Sequence, residues 1–98
     1  MPKIILQGHI IVPASDLTIV KNALVNHIEL TRAESGCLVF KVTVDSLNPN
    51  KFDVYEEFSS EESFSHHQMR VKQSNWAKVT HNVERHYKIS SQQETSIR

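Results

Sequence analysis

The sequence predicts a single α+β domain whose elements follow one another as β-α-β-β-α-β, the ferredoxin-like split βαβ arrangement. Three observations predict it. Four short runs alternate apolar and polar residues with the period of two that marks half-buried strands. Between the first and second runs, Leu17, Val20, Leu24 and Ile28 recur at spacings of three and four and form one apolar helical stripe. Between the third and fourth, Ser59-x-x-Glu62 opens a second helical stretch as a capping box. With 98 residues the chain has room for one hydrophobic core.

The first strand runs from Ile4 to Val12 and is closed by Pro13, which cannot continue a ladder. Ile4, Leu6, Ile10 and Val12 share one face, and Ile5, Gln7, His9 and Ile11 share the other. Gln7, Gly8 and His9 interrupt the run, so it reads as a strand and not as a secretory signal. Ser15 and Asp16 are N-cap candidates for a helix reaching about Glu34, with Gly36 as a left-handed stop. Cys37 to Val44 reads as the second strand, with Leu38, Phe40, Val42 and Val44 on one face. The loop residues Asp45 to Asn50 return the chain into Phe52 to Phe58, predicting an antiparallel hairpin. There Phe52, Val54, Glu56 and Phe58 alternate with Asp53, Tyr55 and Glu57.

The second helix carries Phe64, His66, His67 and Arg70, and Ser74 caps a short extension bearing Trp76 and Val79. A last strand from about Val83 to Ile89 places Val83, Arg85, Tyr87 and Ile89 on one face. Residues 1–89 form the domain, and 90–98 (SSQQETSIR) are read as a polar tail, disordered or reaching onto a partner. Both helices on one side leave the other face of the sheet open. Its apolar residues would be buried by a second sheet packed against it, which predicts a homodimer.

Eleven basic residues balance eleven acidic ones, which argues against nucleic acid and anionic membranes as partners, since both call for a basic excess. No segment approaches the roughly 20 apolar residues of a spanning helix, and the cytoplasm is the expected location. One cysteine, Cys37, excludes an internal disulfide, and no histidine stands near it in sequence to form a nucleophile pair. Six histidines show neither HxxxH nor H-E-x-x-H spacing, so no metal site is expected. Two glycines are too few for a phosphate-cradling loop.

Two stretches carry a family resemblance. ESGCLVF at 34–40, with Asp45 and Asn48-Pro49 after it, and YEEFSSEESFSHH at 55–67 resemble the antibiotic biosynthesis monooxygenase family over about residues 4–89. Glu56, Phe58 and His67 match the family's Glu, the aromatic residue two positions on, and the His eleven positions after the Glu; the family more often has Trp at the aromatic position. The resemblance implies dimers of ferredoxin-like subunits, each with a pocket between sheet and helices. Family members include cofactor-free oxygenases of quinols and polyketide aromatics, heme-degrading enzymes, and an isomerase of a small phosphorylated ketone. The heme-degrading pattern departs from this chain, which has His67 in place of its Trp and Ala77 in place of its axial His.

His67 is the leading base, because an imidazole exchanges protons near neutral pH; the bland alternative is a histidine bonded to a carbonyl. Glu56, in an apolar neighbourhood, is an acid or base with a raised pKa, or else a carboxylate paired with Arg32, Arg70 or Arg85. His9 faces a ligand or the dimer partner. Arg70 binds an anionic oxygen or lies on the helix surface, and Trp76 walls a pocket or the core. Phe58 lines the same pocket. Together with these residues, the resemblance implies a cofactor-independent monooxygenase that takes a small aromatic or quinol together with molecular oxygen. The alternatives are a non-catalytic small-molecule binding or sensing dimer, and an isomerase of a small carbonyl compound.

Overall fold

The computed structural model describes residues 2–92. Its elements are β1 (Lys3–Ile11), a 3-10 turn (Ala14–Asp16), α1 (Leu17–Arg32), β2 (Cys37–Val44), β3 (Lys51–Phe58), α2 (Glu61–Lys72), α3 (Asn75–Val79) and β4 (Glu84–Gln92). All neighbouring strands are antiparallel, in the order β2-β3-β1-β4. This is the α+β, ferredoxin-like architecture expected from the element order.

Strand parity decides the core. Ile4, Leu6 and Ile10 of β1 and Phe52, Val54, Glu56 and Phe58 of β3 point to the helix-covered face and are buried. Leu6, Ile10, Val12, Val20, Phe52, Val54 and Val83 form the main cluster, with Leu17, Leu24, Phe64 and Trp76 packed against it. On the opposite face Gln7, Lys41, Thr43, Asp53, His86 and Lys88 are exposed. No helix among the described residues is long and apolar enough to cross a membrane.

Gly8, in the middle of β1, lies opposite Val54 and Tyr87, and its φ of +156° is one that L side chains rarely adopt. A Cβ there would drive into the His86 backbone carbonyl, so only glycine lets β4 lie this close. The hairpin loop is held by side chains: Asp45 Oδ2 accepts from the Leu47 and Asn48 amides, each at 3.0 Å. Asn50 ties the loop to the end of β1 by donating from Nδ2 to the Val12 carbonyl at 2.9 Å.

Several local expectations are corrected. Helix α1 ends at Arg32 and not near the expected Glu34: the Ala33 amide still makes the helical bond to the Glu29 carbonyl, but the Glu34 amide bonds to the Thr31 carbonyl three residues back, a 3-10-type contact. Asp16 occupies the N-cap position of α1 but makes no side-chain cap bond. Gly36 is not left-handed; what it supplies is space, since a Cβ there would overlap the Ser63 side chain. The cap of α2 is Ser60, whose hydroxyl accepts from the Ser63 amide at 3.1 Å, one residue later than the Ser59 box. Leu38 is 53% exposed because a bulge between Cys37 and Val39 throws it out of the alternation. Strand β4 continues to Gln92, three residues past Ile89; residues 93–98 of the expected tail lie outside the described residues.

Candidate functional site

The buried polar side chains gather in one place between the sheet and the helices. Alternation along β3 turns Glu56 inward beside Phe58, and the first turns of α2 carry His67 over both. His67 is 3% exposed and Glu56 6%. The Phe58 ring lies beneath the imidazole with centroids 4.7 Å apart, and Phe40 and His27 flank it at 6.2 and 6.3 Å.

His67 has two different edges. Its Nε2 faces Glu56 Oε1 at 3.8 Å, too far for a direct hydrogen bond. Its Nδ1 lies 3.1 Å from both carboxylate oxygens of Glu34. Glu34 in turn accepts from Arg70 Nε at 2.6 Å, and Arg70 Nη2 donates to Thr31 Oγ1 at 3.0 Å. Outside this chain of groups lies an open cavity of about 240 Å³ lined by Glu34, Ser35, Gly36, Ser63, His66 and Arg70.

Glu56 Oε1 is buried without a hydrogen-bond partner, and so is His27 Nδ1. Neither Arg32 nor Arg85 pairs with Glu56: Arg32 donates to the Phe40 carbonyl and Arg85 to Thr80. Burial, with the nearby charge of Glu34, pushes the Glu56 carboxyl up to about 7. Burial, reinforced by the charges of His67 and Arg70, pushes His27 down to about 3, so its ring is neutral at physiological pH. Burial also lowers His67, against the opposing hydrogen bond and charge of Glu34. The Cys37 thiol is pushed up by burial and by Glu34 and Glu56, which favours the thiol over a nucleophilic thiolate.

These shifts have a measurable consequence. Because the folded pKa of Glu56 is raised, its stabilising contribution is complete below its unfolded value near 4.5 and is lost as pH rises through about 7. His27 has the opposite sign: its contribution is present above 6.5 and is lost as pH falls toward 3. Glu56→Gln mimics the neutral acid, so the variant is expected to gain on the parent by up to about 3 kcal/mol between pH 5 and pH 8. Urea unfolding of both proteins at the two pH values measures it; parallel pH curves would contradict the buried-acid assignment.

Of the residues singled out from sequence, the fold brings His67, Glu56 and Phe58 together and places Arg70 one hydrogen bond away through Glu34. Trp76 lies flat on His27, with centroids 4.5 Å apart and planes 4° from parallel, at the rim of the cluster. His9 is not brought to it. Parity puts His9 on the opposite face of the sheet, stacked on His86 at 4.7 Å. Arg70, expected to meet a bound anion, commits Nε and Nη2 to Glu34 and Thr31.

Sequence reasoning missed Glu34, His27 and Thr31. The last two continue the stripe of Val20 and Leu24 at spacings of three and four, a signal present in the sequence. Among the described residues no group of three His, Cys, Asp or Glu side chains is arranged to hold a metal ion.

Known proteins share this arrangement of elements. The sequence pattern of the antibiotic biosynthesis monooxygenase family matches residues 4–79, and the chain belongs to that family. MupZ from Pseudomonas fluorescens superposes with a TM-score of 0.73 at 18% identity, over 91% of this chain and 71% of that one. A candidate antibiotic biosynthesis monooxygenase from Nitrosomonas europaea gives 0.70 at 16% identity, over 92% and 86%. A conserved protein from Methanosarcina mazei gives 0.69 at 20% identity, over 97% and 95%. At these identities the likeness is one of fold. No curated protein sequence matches the chain.

Proposed function

We propose that the protein is a monooxygenase that works without a cofactor on a small electron-rich aromatic, a phenol or quinol, as a homodimer built across the open sheet face. The observation that carries this reading is the facing pair of His67 Nε2 and Glu56 Oε1, 3.8 Å apart in a buried apolar setting, with Glu56 Oε1 lacking a partner. One hydroxyl oxygen set to the side of that line lies within hydrogen-bond reach of both atoms. Membership of the antibiotic biosynthesis monooxygenase family is consistent with the oxygenase class.

In this mechanism the substrate hydroxyl gives its proton to His67 Nε2, and the resulting anion reduces oxygen directly. A bond forms between a ring carbon and one oxygen atom, and the O–O bond then breaks. That oxygen stays as a quinone carbonyl, and the other leaves as water with protons released by the substrate. The ring supplies all four electrons, so no further reductant enters. His67 and Glu56 act as base and acid, while Phe58 and Trp76 keep water from the anion.

The test is turnover of a panel of quinols and phenols by metal-free protein, with and without oxygen. One molecule of oxygen consumed per quinone formed is expected. Equal turnover without oxygen would overturn the oxygenase reading and leave isomerase chemistry on the same histidine.

A further inference from the structure

Glu34 has no part in the mechanism above, yet it meets the outward edge of the central histidine. It stands in the turn after α1, where the chain has already left the helix, and two side chains of α2 converge on it. Both its oxygens approach His67 Nδ1 at 3.1 Å, and Arg70 of α2 donates to it at 2.6 Å. Arg70 is itself braced by Thr31, which is wholly buried at the end of α1.

The site is graded from dry to wet. The His67 side chain is 4% exposed and that of Glu34 19%, and Glu34 borders the open outer cavity. Arg70 Nε donates to the Glu34 carboxylate at 2.6 Å, so Glu34 serves as an acceptor on that side as well.

The chemistry of the donor and acceptor atoms fixes the rest. A carboxylate has lone pairs and no proton to give, so its contact with Nδ1 is a hydrogen bond only when Nδ1 carries the proton. The neutral ring then keeps its lone pair on Nε2, the atom turned toward Glu56. We propose that Glu34 is a positioning residue that locks neutral His67 in the tautomer protonated at Nδ1. Arg70 and Thr31 then act on the site by holding Glu34, not by touching a bound molecule.

The catalytic consequence rests on His67 being the base; the tautomer itself does not. A base must present a lone pair to the proton it removes, and the opposite tautomer would present an N–H. Gln at position 34 can turn its amide NH2 toward Nδ1, which draws the ring proton to Nε2 and leaves the base unable to accept there.

The decisive experiment is nitrogen NMR on protein labelled with 15N-histidine at pH 8, with the His67 signals identified by their loss in His67→Gln. In the parent protein Nδ1 is expected to resonate as protonated and Nε2 as bare. In Glu34→Gln the ratio of the two tautomers is expected to fall by about tenfold or more, the weight of a hydrogen bond to a charged group. A parent His67 with its proton on Nε2, or a ratio unchanged in Glu34→Gln, would overturn the proposal. If Glu34→Gln does not fold, the parent spectrum decides alone.

In the turnover assay Glu34→Gln should lower kcat by no more than the tautomer ratio falls, about tenfold, with KM little changed, and Glu34→Asp should recover part of the loss. A parent protein that turns over none of the panel defeats the oxygenase reading, while the spectra still decide the tautomer.

Discussion

Replacing His67 by Gln is expected to lower turnover by about 10²–10⁴-fold while leaving the domain folded. Gln fills much of the same volume and keeps a polar end near Glu34, so the packing against Phe58 and Phe40 is largely preserved. What disappears is the ring nitrogen facing Glu56, the atom that would receive the substrate proton. Paired measurements separate the readings of the site. If the chain is an enzyme, a substrate that raises the melting temperature of the parent should still raise that of His67→Gln, with product formation gone. If it is a binding or sensing protein, both proteins are stabilised and neither forms product. Undiminished turnover in His67→Gln would remove His67 from the chemistry altogether.

The second large effect is on stability. Phe58 is fully buried, with its ring against His67 at 4.7 Å and Phe64 at 5.5 Å. Phe58→Ala should cost about 3–5 kcal/mol, from the lost transfer energy of the ring and the cavity left behind. Since a domain of this size has about 5–15 kcal/mol in total, the variant should sit close to unfolding at ambient temperature. Denaturant midpoints of the two proteins measure the change, and a loss under 1 kcal/mol would mean that the site collapses to refill the space. Phe58→Trp, which restores the residue more frequent in the family, tests whether the position accepts a larger ring; the overlap with His67 and Phe64 makes it destabilising unless one of them moves.

Much of this arrangement was legible in the sequence, and the limits follow from particular residues. Period-two alternation placed Phe52, Val54, Glu56 and Phe58 on one buried face because β3 is a regular central strand. The same rule failed one strand earlier at Leu38, since a bulge inserts one residue and no periodicity announces it. Parity also assigned His9 to the face away from Leu6, and because the helices cover the Leu6 side, His9 lies apart from His67. His27 sits beside Ile28, and both fall near the stripe of α1, so the pattern alone favoured the more apolar neighbour.

Glu34 was the hardest to see. Its part depends on α1 stopping two residues early, on Gly36 letting the turn press against Ser63, and on α2 arriving with His67 and Arg70 aligned. Each of these is a tertiary event, and none leaves a mark in local composition.

The stacking of Trp76 on His27 gives the protein a built-in optical reporter. Trp76 is the single tryptophan of the chain, so the whole indole emission comes from one place at the rim of the buried cluster. Anything that changes polarity there, whether an aromatic molecule sliding in or α3 lifting away, is written into the emission of one indole. Occupancy of this site can thus be followed by light, on unmodified protein, before any product is identified.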